Sequence, residues 1–139
     1  MRSKIVVLCL VLSSIGCATM SDVMKNRQNG TVQTYPVSED DAYKIARQVF
    51  RWEGTDTIEE RKEENMLLTS SSVGLFTMGT FIGAWIEPID SSHTQVTVVT
   101  KRKVATNLAT SLTEATFHRR FAQGVRILRA GQSLPDDAP

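Results

Sequence analysis

The chain has 139 residues, 16 Lys+Arg against 15 Asp+Glu, 41% hydrophobic residues and two cysteines. That length and balance are those of one ordinary globular domain, and they exclude a disordered, collagen-like or multi-spanning membrane chain. Two cysteines exclude a disulfide scaffold and a Cys-rich zinc site, and a net charge of +1 gives no first sign of a polyelectrolyte partner.

The N-terminus has the three parts of a secretory signal. Arg2 and Lys4 are the cationic start, Ile5–Leu12 is an apolar run, and Ser13-Ser14-Ile15-Gly16 is a small-residue exit. The cations hold this end at the cytoplasmic face. The apolar stretch ending at Ile15 is shorter than the roughly 20 residues a hydrocarbon core needs. Gly16 directly before Cys17, at the end of such a run, resembles the lipobox of bacterial lipoproteins. Here Ser14 and Ile15 stand where that family usually has a leucine and a small residue. The resemblance implies cleavage before Cys17 and lipid attachment (diacylglyceryl and palmitate-like acyl chains) to its thiol. An ordinary signal cut after Ala18 is the alternative. With Ala18 rather than aspartate next to the cysteine, the resemblance implies an outer-membrane anchor and a periplasmic domain in a Gram-negative envelope. Three acyl chains hold firmly where one would not. Cys9 leaves with the signal, so Cys17 is the sole cysteine of the processed chain.

Four segments are expected: a signal peptide over 1–16, a lipid-anchored flexible tether over 17–30, a single domain over 31–131 and a disordered tail over 132–139. The tether is mostly polar, with a short amphipathic helix as the alternative because Val23 and Met24 are apolar. Thr31–Val37 carries Thr, Val and Tyr and predicts a strand, which Pro36 confines to a sheet edge. Ser38-Glu39-Asp40-Asp41 starts a helix, with Ser38 as cap and three acids where the macrodipole favours them. Ala42, Ile45, Ala46, Val49 and Phe50 follow at helical spacing, and Gly54 stops the helix. Thr55–Arg61 and Met66–Ser72 predict a hairpin with its turn at Glu63-Glu64-Asn65.

Next comes Val73–Pro88, with three glycines, a single acid and no cation. It predicts a buried strand over about Thr80–Pro88 after a glycine-containing loop; an exposed apolar loop at Leu75–Phe81 is the alternative. Asp90–His93 is a turn. Thr94–Val104 is a strand, with Val96 and Val98 on one face and Val99 on the other. Leu112, Phe117, Phe121, Val125 and Leu128 set the helical period to Arg129, capped by Ser111 or Thr113 and ended by Gly131.

The order is (β)αββββα. It predicts an α+β two-layer sandwich, an antiparallel four- to five-stranded sheet with two helices on one face. In element order alone this resembles the helix-grip arrangement of small envelope lipoprotein domains.

No catalytic set emerges, so the chain is read as not an enzyme. It needs no cofactor and has no metal site. Ser91 and Ser92 adjoin His93, but sequence adjacency is not a dyad. His118 precedes Arg119-Arg120 and is placed on the polar face of the last helix. Glu59, Glu60, Glu63 and Glu64 cluster at a turn, interrupted by Arg61 and Lys62. Glycines 74, 79 and 83 match no phosphate-binding pattern.

Charge asymmetry is the surviving signal. Residues 22–64 hold seven cations and ten anions, whereas 101–129 hold seven cations and only Glu114. Lys101, Arg102, Lys103, Arg119, Arg126 and Arg129 form the candidate surface for an anionic ligand: a lipid headgroup, a cell-wall polymer or an acidic envelope protein. Internal pairing with the acidic first half is the competing fate. A nucleic-acid partner is not expected outside the cytoplasm. Trp85 and Phe81 on an open sheet face would make an apolar platform; under the helices they would be plain core.

Overall fold

The computed structural model describes residues 19–71, 79–102 and 113–139. Three helices, α1 (Met20–Lys25), α2 (Glu39–Trp52) and α3 (Glu114–Arg129), accompany five strands. The strands are β1 (Thr31–Tyr35), β2 (Thr55–Arg61), β3 (Met66–Ser71), β4 (Thr80–Pro88) and β5 (Thr94–Arg102). They form one antiparallel sheet in the order β1-β5-β4-β3-β2. Consecutive strands from β2 to β5 are neighbours, as short connections favour, and β1 closes the far edge against β5. The expected α+β two-layer architecture is present.

Each long helix is started by its own residues. Ser38 Oγ accepts from the Asp41 amide at 3.3 Å, and Glu39, Asp40 and Asp41 occupy the first turn of α2. Thr113 Oγ1 accepts from the Thr116 amide at 3.2 Å and starts α3. Both helices pack on one sheet face. Ile45, Val49 and Phe50 of α2 and Phe117, Phe121 and Val125 of α3 meet Leu67, Ile82, Ala84, Ile86, Val96 and Val98. The two helices come closest at Gly124, where a Cβ would stand 2.6 Å from Ile45 Cγ2.

Period-two alternation sends the other half of each strand to the opposite face. There Met66, Leu68, Trp85 and Val99 form a second cluster with Phe81. The platform reading of Trp85 and Phe81 has the face right, but the platform is covered: Trp85 is only 4% exposed. The cover is α1. Val23 is fully buried in the cluster, and Met20 and Met24 pack beside it.

The flexible tether over 17–30 is thereby corrected for its described part. Met20, Val23 and Met24 fall at i, i+3 and i+4, so even six residues present one apolar stripe. A helix this short is marginal alone, and its order comes from the sheet beneath it. The disordered tail over 132–139 is corrected too. The Pro135 carbonyl accepts from Trp52 Nε1 at 2.9 Å and Gln48 Nε2 at 3.0 Å, and Leu134 packs on the main core.

Other boundaries moved little. The first strand ends at Tyr35, before Pro36. Thr94–Val104 is strand as far as Arg102, with the remainder outside the described residues, as are Leu75–Met78 and the expected helix start at Leu112.

Candidate functional site

The six candidate cations do not share one surface. Lys103 lies outside the described residues. Lys101 pairs in register with Phe81 and shares the α1 side of the sheet, where it adds slightly to the Thr19 hydrogen bonds that hold the Asp22 carboxyl low. Arg102 is exposed at the end of β5. Arg119, Arg126 and Arg129 are exposed on α3, on the flank away from Phe117, Phe121 and Gly124. This split corrects the single basic surface: alternation along β5 turns Lys101 to the far face from α3.

Among the described residues, internal pairing takes up one of the four α3 arginines. The arginine that does pair is Arg120, 3.2 Å from Glu53 just past the end of α2. Among the described residues, Arg119, Arg126 and Arg129 have no ion-pair partner. Arg126 and Arg129 rim an open groove of about 530 Å³, floored by Tyr35, Pro36, Ala122 and Val125. Such a groove offers apolar contact beside two guanidinium groups, which suits an anion attached to an apolar body.

Glu114, the single acid of the basic stretch, is used structurally. It accepts from the Thr31 hydroxyl, from the Thr31 amide at 3.1 Å and from the Thr100 amide at 3.1 Å. Strand β1 begins opposite Val98, so Glu114 stands in for a strand neighbour at Thr100. The N-terminus of α3 is thus clamped to the sheet, which sets the direction of the arginine flank.

His118 is 2% exposed and belongs to this clamp, not to the polar helix face expected for it. Its Nε2 donates to the Thr31 carbonyl at 3.0 Å, so in the neutral ring Nδ1 accepts from the Tyr35 hydroxyl at 2.8 Å. Burial pushes its pKa below the usual 6.5, against the opposing pull of the Thr31 carbonyl and Glu114. The folded state therefore binds the proton less readily than the unfolded chain. His118 contributes stability above the ordinary histidine pKa, and that contribution is lost as pH falls below about 6.5. Urea midpoints at pH 7.5 and 5.5 should show this loss in the wild type. The loss should shrink in His118→Gln.

The Ser91-Ser92-His93 turn does bring an acid to the histidine. Asp90 Oδ1 lies 3.0 Å from His93 Nδ1, and Ser92 Oγ lies 3.1 Å from that same nitrogen. A hydrolytic triad needs the acid and the nucleophile on opposite ring nitrogens. Backbone bonding from Ser92, then the His93 side chain, lowers the Asp90 carboxyl to about 2, as in a capped surface turn.

Three of the four glutamates at the β2–β3 turn, Glu59, Glu60 and Glu64, are paired locally. Arg61 meets Glu59 at 2.6 Å and Glu64 at 3.7 Å, and Arg47 meets Glu60 at 2.7 Å. The Tyr43 hydroxyl is buried with no hydrogen-bond partner among the described residues, and burial beside Glu39 and Glu60 pushes it up to about 12. Among the described residues, no group of three or more His, Cys, Asp or Glu side chains is placed to hold a metal ion, and no helix is long and apolar enough to cross a membrane.

Sequence reasoning missed the groove, because Tyr35 and Pro36 stand 86 or more positions before the α3 residues they meet. It also missed the seat for α1 at Gly83, where a Cβ would stand 2.6 Å from Val23 Cγ1. The only local signal was a glycine inside a strand, which marks a close approach without naming the neighbour. Fold and surface together define a small α+β sandwich domain with an arginine flank on α3 that has no ion-pair partner among the described residues. Neither a protein-family model nor a curated protein matches the chain.

Proposed function

We propose that the chain is a lipid-anchored cell-envelope lipoprotein, held at the outer membrane with its domain in the periplasm. Its domain acts as a non-enzymatic structural or adaptor module. The observation that carries this reading is Gly16-Cys17 at the end of a cation-led apolar run. Membrane fractionation of wild type and Cys17→Ala tests it. The wild type is expected in the membrane pellet and the variant in the soluble fraction; a variant that stays membrane-bound refutes the lipid anchor.

A second reading is favoured by the exposure of Arg119, Arg126 and Arg129, which have no ion-pair partner among the described residues. On that reading the domain binds an anionic envelope ligand through the α3 flank and its groove. Binding to a phosphate-bearing wall polymer should weaken about tenfold or more between 50 and 300 mM salt. Reversing all three arginines to glutamate should abolish it. Binding indifferent to both changes would exclude this reading.

A further inference from the structure

Helix α1 also bears on which way the domain faces. From Cys17 to Met20 is three peptide steps, at most about 10 Å of chain. If residues 17–30 were coil, the same domain would hang on a tether with a typical reach of about 20 Å and would turn freely. The seat of α1 removes that freedom. Val23 is fully buried over Gly83, whose missing side chain makes the socket. Past the helix, Arg27 is ion-paired with Glu87 and stands 5.5 Å over the Trp85 ring. Gly30 then crosses β5 so closely that a Cβ would stand 2.7 Å from the Val98 carbonyl oxygen.

We propose that α1 is an orientation strap. It holds its own side of the sheet against the bilayer that carries the acyl chains, and it turns the α3 arginine flank away. The partner of the α1 side is thus the anchoring bilayer, and the anion met by the α3 arginines is not a headgroup of that bilayer. The proposal rests on lipid attachment at Cys17. The outer surface around α1 is polar and of mixed charge, which fits contact with a zwitterionic headgroup layer without insertion: Ser21, Lys25, Arg27 and Gln28 are exposed, and Lys101 stands on that side with the acids Asp22 and Glu87. Helix α3 lies on the other face of the sheet, so its outer flank stands on the order of 20 Å farther out, a sheet-packing distance plus a helix diameter.

The test uses the full lipidated protein in vesicles of phosphatidylethanolamine and phosphatidylglycerol that carry a headgroup-spin-labelled lipid. A thiol dye is placed at Ser21→Cys or at Ala115→Cys, both exposed, the latter on the outer flank of α3. Acylated Cys17 offers no thiol to the dye. Quenching at position 21 is expected to exceed that at 115 several-fold. A ten-residue Gly-Ser insertion between Ala18 and Thr19 leaves the domain untouched and should bring the two nearly level. Equal quenching in the protein without the insertion, or a difference that survives the insertion, would overturn the strap. A chain that does not float with the vesicles would overturn the lipid anchor, and the orientation with it.

Discussion

Replacing Phe117 by alanine is expected to cost roughly 3–5 kcal/mol of unfolding free energy, the range for a large aromatic removed from a closed core. Phe117 is fully buried where α2, α3 and the sheet meet. Its ring centroid lies 5.3 Å from that of Phe50 and 5.9 Å from that of Phe121, so three aromatic rings share one contact region. Alanine would leave a void that α2 and α3 cannot close, because Gly124 already sits against Ile45 at the closest approach. A domain of this size has about 5–15 kcal/mol in total, so the variant should be near its unfolding threshold. Urea denaturation at pH 7.5 measures the loss, and a cost under about 1 kcal/mol would contradict the packing described.

Trp85→Ala is expected to cost about 3 kcal/mol or more and to do something Phe117→Ala does not. Trp85 is the largest side chain of the second cluster and carries both Val99 and the underside of α1. Its loss also removes the ring under Arg27. The amides of α1 should therefore lose hydrogen-exchange protection well beyond the drop in global stability. In Phe117→Ala, α1 protection should fall only as far as the whole domain does. If α1 stays as protected as the strands in Trp85→Ala, the helix does not depend on this cluster.

Much of the fold was legible because its signals are local. Ser38 and three acids open α2, the stripe from Ala42 to Phe50 closes one face of it, and the alternation of Val96, Val98 and Val99 sets the sheet faces of β5. The edge position of β1 followed from Pro36. The misreadings share one cause. Residues 20–25 and 132–139 are short, and their order comes from distant partners: Gly83 and Trp85 for the first, Gln48 and Trp52 for the second.

The candidate surface shows the same boundary. Charge counting found the basic stretch, and the fold puts Arg119, Arg126 and Arg129 on the exposed side of α3. Strand alternation assigned Lys101 to the opposite face only once the sheet had an inside. His118 looked polar beside Arg119 and Arg120, yet the turn of α3 aims it at Tyr35 and Thr31.

By itself the sequence determined one α+β domain, its strand and helix periods, a near-neutral charge made of opposed halves, and a single candidate lipid site at Cys17. The tertiary structure alone decided that α1 roofs a second core, that Glu114 and His118 clamp α3 to the first strand, and that Arg119, Arg126 and Arg129 have no acid partner among the described residues. Periodicity and capping act over a few residues and can be read along the chain. Close approach, burial and ion pairing act across tens of residues and exist only after the chain has folded.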